Sequence, residues 1–89
     1  MEKIYRALID GRPFEFIMHR SKEGALQSAI DRLKFDLAEY DFLGKPNKLK
    51  LNKNSIESWI VDAYQVKHYS PMVDYSVEII ILIQEFSLM

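Results

Sequence analysis

The sequence predicts an α+β domain in which one long amphipathic helix packs on one face of a small, mostly antiparallel sheet of four to five strands. Two observations predict this class. Apolar residues repeat at helical spacing between Ser21 and Asp41. Segments rich in β-branched and aromatic residues lie on both sides of that helix. The predicted order is β-β-α-(β)-β-β, and residues 1–89 are expected to form a single domain.

Residues 1–20 are predicted to form an N-terminal β-hairpin. Ile4–Ile9 and Phe14–Arg20 have the composition of strands. Asp10-Gly11 between them suits the positive φ angles of a tight turn. One face of the second strand is predicted to be core, and its residues are Phe14, Phe16 and Met18.

Residues 21–41 are predicted to form the helix. Ser21 is a good N-cap, and Gly44 and Pro46 close the segment, which places the helix end near Asp41. Arg32 and Asp36 are spaced to form an ion pair. The apolar stripe that would face the sheet consists of Leu26, Ala29, Ile30, Leu33, Leu37 and Tyr40.

Phe35 lies opposite that stripe, in the middle of the polar face of the helix. Two interpretations stay open. A single exposed phenylalanine can lie on a protein surface that has no binding role. Alternatively it belongs to a partner surface, which Phe42 would extend because it also points away from the stripe.

Residues 42–55 are predicted to be a basic connector, with four lysines and no acid between residues 43 and 56. The remaining blocks carry net charges of −1 (residues 1–42) and −4 (residues 57–89), which with the +4 of the connector give the total of −1. Lys48–Leu51 alternates like a short edge strand. Lysines on a loop can contact phosphates without reading sequence, so a nucleic-acid site is one hypothesis, and a merely soluble loop is the other. Its residues would be Lys45, Lys48, Lys50 and Lys53.

Residues 56–88 are predicted to form a C-terminal β-hairpin. Ile56–Tyr69 is the first strand, with a bulge near Ala63 where its alternation changes, and a short helix starting at Ser55 is the alternative. The second strand, Tyr75–Phe86, is apolar on both faces. Val77, Ile79, Ile81 and Ile83 line one of them, and Ile80, Leu82 and Phe86 line the other.

A strand that is apolar on both faces needs cover on both. One helix covers one face of a small sheet, so a second copy of the chain is the predicted cover of the other, which makes a homodimer the expected partner. We therefore expect a non-enzymatic protein-binding protein that self-associates. The predicted interface residues are Ile80, Leu82, Phe86, Phe35, Phe42, Tyr64 and Tyr69.

Catalytic and metal-binding signals are weak. The chain has no cysteine and only three glycines, and its histidines, His19 and His68, lack metal-ligand spacing. Glu15 is the nearest acid to His19 in the predicted strand. No enzymatic activity, cofactor or metal is expected. A small anionic ligand bound between subunits is a further alternative, and it would use Arg6, Arg12, Arg20 or Lys67.

The first 40 residues have the order strand, Asp10-Gly11 turn, strand, and a helix led by Ser21-Lys22-Glu23. This order resembles that of many short proteins of phages and mobile elements. The resemblance implies a small accessory protein, an inhibitor or adaptor that acts by binding another component. The charged first residues lack an apolar leader segment, and the longest apolar run has five residues, so a cytoplasmic protein without a membrane span is expected.

Overall fold

The computed structural model describes residues 2–15, 17–52 and 59–87, and it confirms the predicted α+β class. Its elements are β1 (Lys3–Ile9), β2 (Arg12–Pro13), α1 (Lys22–Asp36), β3 (Asp41–Phe42), β4 (Asn47–Leu49), β5 (Ile60–Ser70) and β6 (Tyr75–Ser87). All pairings between strands are antiparallel, in the order β2-β1-β6-β5-β3, and β4 also pairs with the outer edge of β5.

The β5–β6 hairpin forms the centre of the sheet. Its ladder runs from Ser70↔Tyr75 to Asp62↔Ile83 and then shifts register between Ile60 and Asp62. The predicted bulge is therefore present, one to two residues before Ala63. Residues 56–58, which were predicted to begin this hairpin, and residue 88, predicted to end it, lie outside the described residues.

The core lies between α1 and one face of the sheet, which we call the inner face. Apolar residues three and four positions apart form one side of α1, and this side packs on the inner face. The odd-numbered residues of β6 meet them, because successive side chains of a strand point to opposite faces. The buried members of this cluster are Ala7, Ala25, Ala29, Ile30, Leu33, Val66, Ile79, Ile81 and Ile83.

The N-terminal hairpin is shorter than predicted. Asp10 and Gly11 adopt φ angles of 51° and 79°, as the turn requires. However, the second strand ends at Pro13, and the chain rejoins β1 only at His19, which exchanges two backbone hydrogen bonds with Tyr5. The described residues between these two points, 14, 15, 17 and 18, form no strand pair with β1, so the chain loops out of the ladder there.

This outward loop changes the predicted core assignment of the segment. Phe14 is half-buried and packs against the core, but Met18 is 36% exposed, and Phe16 lies outside the described residues. Ile17, predicted on the opposite face, is 65% exposed. A strand over Phe14–Arg20 is therefore wrong.

The helix begins as predicted and ends earlier. The Ser21 hydroxyl accepts a hydrogen bond from Gly24 N at 3.0 Å, and Arg32 pairs with Asp36. The helix stops at Asp36 because Leu37 leaves helical geometry (φ −112°, ψ 48°). The chain then turns back so that Asp41 and Phe42 can pair with β5. The predicted end near Asp41 is thus wrong by five residues.

The predicted connector, residues 42–55, contributes to the sheet. Phe42 ends β3, and β4 covers Asn47–Leu49 where a short strand over Lys48–Leu51 was predicted. Leu49 pairs with Ala63 and Asn47 with Gln65. This segment closes the outer edge of β5.

Candidate interaction surfaces

The residues predicted as one interface occupy different sides of the molecule. Register places Ile80, Leu82, Phe86 and Tyr69 on the sheet face opposite α1, which we call the outer face. Phe35 is 79% exposed on the far side of the helix. Phe42 and Tyr64, which were also predicted in the interface, are partly buried and pack against the core. The Phe42 ring meets the His68 ring edge-on, with the two ring centroids 5.2 Å apart. Lys34 Nζ lies 5.2 Å from the centroid of the Phe42 ring.

Two residues at the centre of the outer face have little exposed surface. Leu8 and Ala63, the cross-strand neighbours of Leu82, are only 5% and 3% exposed. Ile80 and Leu82 themselves are half-buried. A second copy of the chain on this face stays a prediction. The most exposed apolar side chains of the sheet lie at its two ends.

One end carries an aromatic cluster that we call the Trp59 end, made of Trp59, Phe86 and Arg6. Trp59 is 63% exposed and adopts φ 77°. Its carbonyl oxygen accepts a 2.7 Å hydrogen bond from Glu85 N, which fixes this backbone to β6. The indole lies 5.3 Å from the Phe86 ring, and the Arg6 guanidinium lies 5.5 Å from that ring on the outer face.

The Trp59 end also borders a groove and holds its arginine in place. A cavity of about 420 Å³ is lined by Trp59, Val61, Glu85, Phe86 and Ser87. Arg6 Nε and Nη2 donate to Gln84 Oε1 at 3.0 and 2.7 Å. Aromatic residues and arginine next to a groove are the composition that contributes most to binding energy in protein interfaces.

The opposite end of the β5–β6 hairpin, which we call the hairpin tip, is residues 71–75. Met72, Val73 and Tyr75 are 79%, 65% and 61% exposed. Asp74 adopts φ 49° and accepts a hydrogen bond from the Tyr69 hydroxyl, which raises the pKa of that phenol. Of these residues, only Tyr69 is among the predicted interface residues.

His19, Glu15 and Ser28 form a polar cluster that anchors the looped segment to α1. The Ser28 hydroxyl lies 2.9 Å from both Glu15 carboxylate oxygens, and His19 Nε2 lies 2.8 Å from Oε1. The proximity of Glu15 to His19 is confirmed. The carboxylate lies between the serine and the histidine and contacts both. The cluster is therefore a structural link.

His68 and Ser70 are buried polar residues on the inner face of β5. Each is 1% exposed, and within the described residues His68 Nε2 and Ser70 Oγ have no hydrogen-bond partner. Burial, followed by the Lys34 ammonium, lowers the pKa of His68. Burial on the inner face of the sheet thus favours the neutral form of the imidazole.

The four lysines of the predicted nucleic-acid site do not share one environment. Lys45 and Lys50 are exposed, whereas Lys53 lies outside the described residues. Lys48 Nζ lies 3.1 Å from Asp62, a buried carboxylate that also lies 3.7 Å from Lys22. The hydrogen bond to Asp62 raises the pKa of Lys48. Lys48 therefore fastens β4 to β5, and the geometry does not favour a phosphate-binding surface here.

The basic residues considered for an anionic ligand are dispersed. Arg6 is bound to Gln84 on the outer face, and Lys67 pairs with Glu78 at 3.2 Å. Arg12 and Arg20 are exposed, in β2 and just before α1. These four side chains do not converge on one site.

Among residues 2–15, 17–52 and 59–87, no group of three or more histidine, aspartate and glutamate side chains is arranged to hold a metal ion. Over the same residues, α1 is not apolar or long enough to cross a membrane.

No protein-family model matches the chain, and neither a curated protein nor a solved structure matches it.

Proposed function

We propose that this chain is a small non-enzymatic protein-binding domain that contacts its partner through the Trp59 end. The observation that carries the proposal is the state of Trp59: an indole 63% exposed to solvent on a backbone at φ 77°. A non-glycine residue in this conformation costs about 1–2 kcal/mol, and a large ring in water forgoes burial. When a partner covers the ring, the free energy gained by its burial offsets both costs.

The surroundings of Trp59 support a protein partner. Phe86 extends the apolar surface, Arg6 offers donors next to it, and the adjoining groove accepts a side chain. An accessory or inhibitor protein that works by occupying another component would need such an anchor, and it would need no catalytic group.

The test is affinity capture from the native cell with three immobilised baits: the wild type, Trp59→Gly and Phe35→Ser. Glycine removes the ring and suits the positive φ angle. Phe35→Ser is the matched control, because it removes an even more exposed aromatic ring from the far side of the helix. We expect proteins retained by the wild type and the control to be lost with Trp59→Gly.

A second measurement uses the fact that Trp59 is the only tryptophan in the chain. A captured protein that contains no tryptophan should, on addition, shift the Trp59 emission to shorter wavelength. It should also protect Trp59 from acrylamide quenching. Capture that is identical for all three baits, or an unchanged Trp59 signal in a stable complex, would refute the proposal.

A further inference from the structure

β6 is paired on both sides over only part of its length. Residues 81–87 lie between β1 and β5, with pairs from Ile9↔Ile81 to Lys3↔Ser87. Residues 75–79 pair with β5 on one side, and in the described part of the chain no strand lies on the other. We call residues 75–79 the free edge. Tyr75, Ser76 and Glu78 are exposed there.

The hydrogen bonds around the free edge show which backbone groups point outward. Ile80 O accepts from Asp10 N on the β1 side, and Glu85 N donates to Trp59 O on the β5 side. Backbone groups of an antiparallel strand alternate between its two neighbours. Even-numbered residues of β6 therefore direct N–H and C=O away from β5. Ser76 and Glu78 each present a donor and an acceptor to an edge that carries no strand among the described residues.

We propose that the free edge pairs antiparallel with the free edge of a second copy, around a two-fold axis at Val77. Unpaired edges are templates for strand addition, and proteins usually block them with proline, lysine or a bulge. Residues 75–79 contain neither proline nor lysine, and their ladder with β5 is regular. This inference uses residues other than those of the Trp59 end.

Charge selects the register. Outward-pointing residues must face each other, so the two-fold axis can lie at Ser76, Val77 or Glu78. An axis at Glu78 places that carboxylate opposite its own copy, and an axis at Ser76 places Asp74 opposite Glu78. Like charges directly opposite are destabilising. With the axis at Val77, Ser76 faces Glu78 of the second copy, and both pairs exchange two backbone hydrogen bonds.

The same register joins apolar side chains on the inner face. Val77 meets Val77 of the second copy in a close, non-hydrogen-bonded pair, and Tyr75 faces Ile79 of the second copy. Tyr75 is 61% exposed in a single chain. Aromatic and β-branched cross-strand pairs are among those that stabilise sheets most. The pairing would thus cover an exposed tyrosine and continue the sheet across two molecules.

Light scattering on purified chain tests the pairing. We expect a mass of about 21 kDa at micromolar concentration, twice the 10.5 kDa of one chain. Ser76→Pro removes an outward N–H and spares the β5 ladder, so it should raise the dissociation constant roughly ten- to hundredfold. Ser76→Ala keeps the N–H and is the matched control. Trp59→Gly should remain a dimer, which separates this inference from the proposed function.

Opposite charges at position 76 test the register. Ser76→Lys faces Glu78 of the second copy and should tighten the dimer, whereas Ser76→Glu should weaken it, each by about two- to fivefold. The proposed pairing would be refuted by a dimer that responds to neither charge. It would also be refuted by a dimer that dissociates with Leu82→Asp but not with Ser76→Pro, which would place the interface on another surface.

Amide hydrogen exchange tests the wild type without substitution. The amides of Ser76 and Glu78 should exchange freely in dilute chain and become protected as concentration rises. The Val77 amide, which points to β5, should be protected at every concentration. A 10.5 kDa monomer at about 100 μM, or Ser76 and Glu78 amides that never gain protection, would refute the inference.

Discussion

Trp59 combines two properties that each cost free energy, an exposed indole and a left-handed backbone. Such strain is found where function maintains it, so stability and function are expected to separate at this residue. We predict that Trp59→Gly leaves the free energy of unfolding within about 1 kcal/mol of the wild type, because relief of the positive φ offsets the lost contact with Phe86.

Trp59→Val is the matched contrast. A β-branched residue tolerates positive φ poorly and also loses the ring, so the free energy of unfolding should fall by about 2 kcal/mol. Urea unfolding followed by circular dichroism measures all three proteins. A glycine variant as unstable as the valine variant would show that Trp59 is a structural residue.

His68 makes the fold sensitive to acid. Its pKa in the folded chain is lowered by burial and by Lys34, below the value of about 6.5 for an exposed histidine. The unfolded chain therefore binds more protons below that pH, and stability falls as pH falls from about 6.5 toward the folded-state pKa. Above about pH 7 this contribution does not change.

His68→Leu tests this dependence. Thermal unfolding of wild type and variant between pH 7.5 and pH 5 should give midpoints whose difference is constant at high pH and moves in favour of the variant below about 6.5. Leucine also removes the unpartnered Nε2 from the core, so the variant should fold. Parallel midpoint curves over the whole range would show that His68 is not the group that titrates.

At the scale of the element, the start of α1 is set by local chemistry. Ser21 Oγ accepts from Gly24 N, one of the helix donors that lack a partner within the helix. We predict that Ser21→Ala lowers the free energy of unfolding by about 1 kcal/mol, whereas Ser21→Asp retains it because aspartate also caps. Chemical denaturation of the two variants checks this, and equal losses would mean that the cap is not what stabilises the helix start.

Elements fixed by neighbouring residues could be predicted, and those fixed by distant pairing could not. The Asp10-Gly11 turn, the Ser21 cap and the two faces of β6 follow from local sequence. The end of α1 depends on the need of Asp41 and Phe42 to reach β5. The loop over 14–18 depends on His19 pairing with Tyr5. Neither partner is visible in the segment itself.

The candidate surfaces show the same division. Phe42 was expected to point away from the apolar stripe of the helix, and its side chain instead packs on His68. The half-buried state of Ile80 and Leu82 depends on their cross-strand neighbours, which cannot be read from β6 alone. The free edge exists only because β1 ends at Ile9. Ile9 pairs with Ile81, which lies six residues after the start of β6 at Tyr75. Such facts belong to the sheet as a whole.

At the scale of the whole molecule, the β5–β6 hairpin separates the two proposed surfaces. The chain is elongated, with extents of 49 × 28 × 19 Å. Trp59 precedes the first residue of β5, and the hairpin tip follows its last. Eleven residues of strand span about 35 Å. Pairing at the free edge would therefore leave both Trp59 ends of a dimer accessible and far from the two-fold axis.

This separation predicts that the two surfaces act independently in each chain and together in the dimer. Ser76→Pro should bind a partner free in solution as tightly as the wild type does, since its Trp59 end is intact. On a surface densely coated with that partner, the wild-type dimer should dissociate about ten- to hundredfold more slowly than the monomeric variant, because its two Trp59 ends bind at once. Surface plasmon resonance at high and low coating density measures both. If Ser76→Pro also weakened binding in solution, the free edge and the Trp59 end would be parts of one interface.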